Sequence, residues 1–308
     1  MKKGIWYAIA CYAIWGIFPI YWKFLNNVPA VQIMTHRVIW SFLFVFILVT
    51  LRKDWRQLRA ALTKKTVLIY AIASVLLAAN WLMYIWGVNS GYIVETSLGY
   101  FINPLVNVLL GVLFLGEKMR PTQWIPIGLA ATAVIYMTVS YGSLPWIALI
   151  LASTFGTYGF VKKKASLGAL QGLTLETSVL VVPSIAYLLL MQGQGTGAFG
   201  HVSFNENILL ILSGLVTAIP LLMFADAARR IPLSMMGIIQ FLSPTLQFLL
   251  GVFVYGESFS GARIVGFGQI WFALLLYTGE GFYFRARAAQ KVAPPIPAVV
   301  SSDPGDAQ

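Results

Sequence analysis

Thr96, Tyr100, Asn103, Asn107 and Gly111 follow one another at steps of 4, 3, 4 and 4 residues, the rhythm of a single helix face. Further along, Met236, Gln240, Ser243, Gln247 and Gly251 repeat those steps. Amides and hydroxyls on an otherwise hydrocarbon helix are not left facing lipid, where each unsatisfied group costs several kcal/mol. They face a neighbouring helix or a watered cavity, where they can hold a polar molecule without reacting with it. A proline interrupts each stripe. Pro104 cannot donate to the carbonyl of Tyr100, nor Pro244 to that of Gln240, so each is expected to free an acceptor near mid-helix and to act as a hinge. Asn80 and Tyr84 share a face four residues apart on another stretch, beside Trp81 and Trp86. The candidate substrate cavity is therefore Asn80, Tyr84, Tyr100, Asn103, Asn107, Gln240, Ser243 and Gln247. The competing reading is interhelical glue, worth about 1 kcal/mol per contact.

The ionisable groups inside apolar stretches form a second set. His36 and Arg37 lie about two turns into one stretch and Glu95 begins another, all three expected near one membrane face. A buried cation without a partner costs at least about 2.5 kcal/mol. Glu95 is the acid of the first half placed to pair with Arg37, so the two are the candidate gate. Glu176, toward the opposite face, has no span-embedded cation at matching depth and is the candidate proton carrier. Snorkelling to the nearer surface is the alternative for both Arg37 and Glu176. Asp226 is expected to pair locally with Arg229 and Arg230, Glu280 to sit near Arg285 and Arg287, and Glu117 and Glu257 to cap helix ends or join the repeats. The run Gly111 to Lys118 looks like a phosphate loop only superficially, since Glu117 would repel phosphate. With His36, His201 and the single Cys11, neither a metal nor another cofactor is expected, and an internal disulfide is excluded.

The elements that must carry these residues are written in the composition. Charged residues are 10% of the chain, against about 25% in a soluble domain, hydrophobic residues are 59% and the mean hydropathy is +0.79. That excludes disorder and ordinary cytosolic enzymes. Ten apolar stretches approach the length of about 20 residues needed to cross a bilayer: 4–23, 31–51, 66–87, 94–115, 123–140, 145–161, 171–191, 208–228, 233–255 and 263–284. The first is too long for a signal-peptide core and lacks a cleavage site. The net charge of +11 could mean nucleic acid, but its distribution points elsewhere. Counting from an inner N-terminus, the basic residues cluster in the inner segments; only Lys23 and Arg263 fall outside, and Arg37 lies within a span. This is the bias of a plasma-membrane protein with both termini cytoplasmic, and it leaves no role for nucleic acid.

An ungapped offset of 140 residues lays the chain upon itself. Trp6 falls on Trp146, Gly16 on Gly156 and Ala78 on Ala218, while Pro104, Gly111, Gly116 and Glu117 fall on Pro244, Gly251, Gly256 and Glu257. Each half holds five stretches, an odd number, so the second half enters the membrane from the opposite side. The expected fold is an all-α integral membrane protein of ten transmembrane helices in two inverted five-helix repeats, 1–140 and 141–287, with a disordered cytoplasmic tail over 288–308. Inverted repeats build secondary transporters around a site near the bilayer midplane.

Two halves each carrying P-x6-G-x4-G-E resemble the EamA-type permeases of the drug/metabolite transporter superfamily. The opening Gly4 to Lys23, the stretch Ala78 to Trp86 and the segment Glu95 to Leu105 are similar to RarD-type members, and the likeness covers about residues 1–288. It implies transport of a small molecule, of a chloramphenicol-sensitivity type, and leaves the substrate open. The expected function is a secondary active permease working by alternating access, with the lipid bilayer and a small-molecule substrate as partners. Protons are the candidate coupling ion, and a homodimer is compatible with the sequence. The rival from another class is an integral-membrane enzyme acting on a lipid-linked substrate; clustered Asp, His and Arg would mark it, and the acids here are scattered.

Overall fold

The computed structural model describes residues 2–115, 120–141, 144–163, 167–231, 239–259 and 261–292, and every regular element among them is helical. They are α1 (Lys2–Gly16), α2 (Phe18–Lys23), α3 (Ala30–Leu51), α4 (Trp55–Ala60), α5 (Lys64–Asn89), α6 (Ile93–Leu115), α7 (Pro121–Tyr141), α8 (Trp146–Lys163), α9 (Ala169–Gly193), α10 (Phe204–Arg230), α11 (Leu242–Leu249) with a π-helical turn at Leu250–Val254, and α12 (Gly261–Val292). Eight stretches are long and apolar enough to cross a membrane. The shorter apolar helices Trp146–Lys162 and Leu242–Val254 lie where the sequence has its sixth and ninth stretches. Helix α12 continues to Val292, past the expected boundary at 287, and the rest of the expected tail lies outside the described residues.

Local chemistry sets several helix starts. Thr63 accepts from the Thr66 N–H at 3.1 Å to begin α5, and Ser203 and Glu206 form a reciprocal capping box at the start of α10. Pro244 is a correction to the mid-helix hinge expected from sequence. It lies in the first turn of α11, where a missing N–H removes no helical bond. The carbonyl of Gln240 is not free either, since it accepts from the Ser243 N–H at 3.3 Å. Helix α6, by contrast, runs through Pro104.

Under the 140-residue offset, α1, α3, α5, α6 and α7 correspond to α8, α9, α10, α11 and α12. The main packing pairs obey the same correspondence. Helix α6 packs on α8 as α11 packs on α1; α5 meets α8 as α10 meets α1; α3 meets α10 as α9 meets α5. The pairs α3–α9, α6–α11 and α7–α12 map onto themselves. All of these contacts join one half to the other, so the sequence halves share one packed body. Glycine permits the close approaches. A Cβ on Gly16 would stand 2.7 Å from Leu246, and a Cβ on Gly156 would stand 2.7 Å from Val106, which is the corresponding position. The surface remains apolar: Leu113, Val139, Phe253 and Leu275 are each more than 70% exposed, a belt suited to hydrocarbon.

Candidate substrate site

Arg37 stands on α3 with its side chain enclosed, 4% exposed. Its Nε donates to Thr217 Oγ1 on α10 at 2.6 Å. The guanidinium lies 4.0 Å from the ring centre of Trp81, 5.1 Å from that of Trp22 and 5.9 Å from that of Phe18. Beside this aromatic box, the rings of Tyr84 and Tyr100 meet edge to face at 5.7 Å, and Tyr100 in turn meets Phe155 at 6.1 Å. Asn80 ties the group to α8, donating from Nδ2 to the Leu151 carbonyl at 3.1 Å and to Thr154 Oγ1 at 3.0 Å, while its Oδ1 accepts from the Tyr100 hydroxyl at 3.5 Å. Helices α3, α5, α6, α8 and α10 thus bring one cation, several rings and a few hydrogen-bonding groups together. Such an arrangement binds, because nothing in it supplies a nucleophile with its base.

On α11, Gln247 donates to the carbonyl of Trp15 at 3.0 Å and to Ser243 Oγ at 3.2 Å. Asn103 Oδ1 and Gln247 Oε1 are buried without a hydrogen-bond partner. At the opposite end from Arg37, Lys162 Nζ meets Glu176 Oε1 at 2.7 Å, and the Tyr158 hydroxyl lies 3.3 and 3.4 Å from the two carboxylate oxygens. Gly172 clears the way, since a Cβ there would stand 2.8 Å from Lys162 Nζ. Two further carboxylates join the halves near Arg37's end of the bundle. Glu257 accepts from the N–H groups of Ile93 and Val94 at 2.7 and 2.8 Å, capping α6, and Glu95 accepts from the Ile147 N–H at 3.1 Å, at the start of α8. Burial pushes the Glu257 carboxyl above the usual carboxylate range, against the pull of the two N–H groups.

Residues 2–139 match the EamA-like transporter family. The uncharacterized transporter YojE of Bacillus subtilis is 45% identical over 281 residues, covering 90% of this chain and 94% of its own. Protein RarD of Escherichia coli is 42% identical over 290 residues, covering 94% of this chain and 98% of its own. The chain belongs to the EamA-like transporter family, as a RarD-type permease. A more distant relative, the chloramphenicol-sensitive protein RarD of Pseudomonas aeruginosa, is 28% identical and covers 89% of this chain and 93% of its own. A protein of known crystal structure superposes with a TM-score of 0.60 over 90% of this chain and 97% of its own, at 14% identity, a likeness of fold alone. Family and apolar helices together make the chain a multi-pass membrane protein and set it among transporters rather than enzymes.

In this RarD-type permease the residues singled out from sequence have separate fates. Asn80, Tyr84 and Tyr100 come together as one group; Asn103, Ser243 and Gln247 are buried; Asn107 is exposed, and Gln240 sits in the turn before α11. Arg37 and Glu95 are not joined, because Thr217 and the rings take the guanidinium while the α8 N-terminus takes the carboxylate. His36 stacks on Phe199 at 5.0 Å between centroids. Glu176 has the cation that the sequence reading did not give it, since Lys162 reaches inward from the end of α8. Asp226 pairs with Arg230 at 2.6 Å. Glu280 pairs with Arg120 at 2.7 Å, while the side chains of Arg285 and Arg287 lie outside the described residues, as do Met236, Gly116 and Glu117. Thr217, Trp22, Phe18, Tyr158 and Lys162 were missed. The offset held a signal for three of them, because Trp22 corresponds to Lys162 and Phe18 to Tyr158, and both pairs line the equivalent place in their own half.

Proposed function

We infer that the protein is a secondary active transporter of the bacterial plasma membrane, moving a small organic molecule by alternating access. The observation that carries this reading is the set of helix pairs that exchange under the 140-residue offset. A body with two equivalent packings of its halves can rock between faces around a central site. On this reading ten helices cross the membrane in two inverted repeats, with both termini cytoplasmic, and Arg37 lies toward the outer face. Asn80, Tyr84, Tyr100 and Asn103, with Ser243 and Gln247 opposite, contact the substrate. The contacts of Glu257 and Glu95 with helix starts of the other half close the outer side. Glu176, paired with Lys162, is the candidate for proton coupling; Glu176→Gln should abolish gradient-driven uptake and retain exchange.

Reconstituted liposomes test the transport reading. Counterflow of candidate solutes should be seen with the protein and not in empty liposomes. Chloramphenicol is the first candidate, because a relative carries that compound in its name. Absence of protein-dependent flux across neutral, anionic and cationic solutes would overturn the reading.

A further inference from the structure

A buried arginine is ordinarily matched by an acid, because an unpaired charge away from water is costly. Lys162 follows that rule with Glu176. Arg37 does not. Among the described residues, the titratable groups close enough to act on its charge are the hydroxyls of Tyr100, Tyr84 and Tyr21, with no carboxylate among them. The rings of Trp81, Trp22 and Phe18 and the Thr217 hydroxyl reduce the cost of the cation without neutralising it. Two donors here lack an acceptor: Arg37 Nη1 and the Tyr84 hydroxyl, both buried. The neighbouring hydroxyls are engaged, Tyr21 with the Leu209 carbonyl and Tyr100 with Asn80. Water could fill both donors, but it would leave the charge uncompensated.

A route leads to this place. A cavity of about 340 Å³ opens at the same end of the bundle, lined in part by Asn26, Asn27, Ala30 and Asn89. Arg37 follows Ala30 by seven residues along α3, and Tyr84 precedes Asn89 by five along α5. At the helical rise these are descents of about 10 and 8 Å below the cavity lining. Both open donors therefore stand beneath one mouth.

We propose that Arg37 and Tyr84 bind the anionic group of the transported substrate, and that this substrate is an organic monocarboxylate with an apolar or aromatic body. One unpaired cation matches one negative charge, whereas a phosphate dianion would bring a second with no partner. One carboxylate oxygen accepts from Arg37 Nη1 and the other from the Tyr84 hydroxyl, with the body against the rings of Tyr100 and Phe155. That the anion is carried across, and not only bound, rests on the transporter reading above.

The test uses the full chain, purified and also reconstituted in liposomes. The probes are benzoate, phenylacetate and octanoate, each compared with its neutral amide and with the corresponding amine. The carboxylates should raise the melting temperature at millimolar concentration, and the amides and amines should not. Tyr84→Phe, which removes only a hydroxyl, should weaken carboxylate binding about tenfold, the equivalent of one lost hydrogen bond to a charged group. Arg37→Gln should abolish the response and Arg37→Lys should keep part of it. If Arg37→Gln does not fold, Tyr84→Phe decides alone. Stabilisation by amides equal to that by carboxylates, no response to any carboxylate, or unchanged binding in the variants would overturn the proposal. Carboxylate binding without carboxylate flux would instead sink the transporter reading and leave the anion site standing. Protein-dependent flux of a neutral or cationic probe that is indifferent to Arg37→Gln would do the reverse.

Discussion

Replacing Lys162 by methionine keeps the unbranched stem and removes the charge that faces Glu176. The Glu176 side chain is 2% exposed, and its remaining side-chain partner is the Tyr158 hydroxyl, 3.3 Å away at its nearest. Removing one member of a buried pair costs about 3–5 kcal/mol. The stranded carboxylate can escape part of that by taking up a proton, which for an ordinary carboxyl at pH 7 costs about 3.7 kcal/mol. The loss should therefore be about 3–4 kcal/mol at pH 7 and should shrink to about 2 kcal/mol near pH 5.5, where protonation is cheaper. At roughly 2–4 °C per kcal/mol for a chain of this size, the melting temperature should fall by about 6–16 °C at pH 7. The protein supplies its own reporter, because Cys11 is the single cysteine and is fully buried, so a thiol-reactive dye reads unfolding directly. Lys162→Met combined with Glu176→Gln leaves no buried charge and an amide oxygen for Tyr158, and should recover most of the loss. A Lys162→Met protein that melts within 2 °C of the parent, or a double variant no better than the single, would refute the argument that the pair is buried and mutually dependent.

Three further expectations follow from the same packing. In Gly214→Ala the new methyl would stand 2.3 Å from the Trp40 carbonyl carbon and 2.6 Å from the Ser41 nitrogen, so α10 must withdraw from α3, at about 1–3 kcal/mol; Gly128→Ala meets open space and should be neutral or stabilising in the same thermal assay. Glu257→Ala strands the two N–H groups at the start of α6 and should cost about 2 kcal/mol, with Glu257→Gln recovering part because an amide oxygen can still accept one of them. A C-terminal alkaline phosphatase fusion should be inactive and a fluorescent-protein fusion bright; active phosphatase would overturn cytoplasmic termini.

The periodic stripes and the Pro-Gly-Gly-Glu spacing made the helices and their internal correspondence legible without coordinates, because both depend on local geometry and on the cost of exposing polar groups to hydrocarbon. Partners were not legible in the same way. Arg37 was assigned to Glu95 on depth alone, yet depth is one coordinate of three; Thr217 meets it because α10 packs on α3 from the other half. Glu176 was left unpaired because Lys162 was counted as a loop residue, although a lysine stem can carry its charge inward from a helix end. Pro244 was read as its counterpart Pro104 would be, in mid-helix, but its helix begins just before it. In each case the choice was made by packing between the halves, which hydropathy does not encode. The same packing explains why the departures from symmetry matter. His36 and Glu176 occupy corresponding positions, as do Trp22 and Lys162, on a scaffold whose helix pairs exchange under the offset. One half has filled its place with an acid and a base that neutralise each other; the other has filled it with rings around a cation that no described acid answers. A symmetric scaffold gives two faces equal means of opening. It is the unequal charge placed on it that gives a solute a preferred place to bind, and the uncompensated member, Arg37, is where that preference resides.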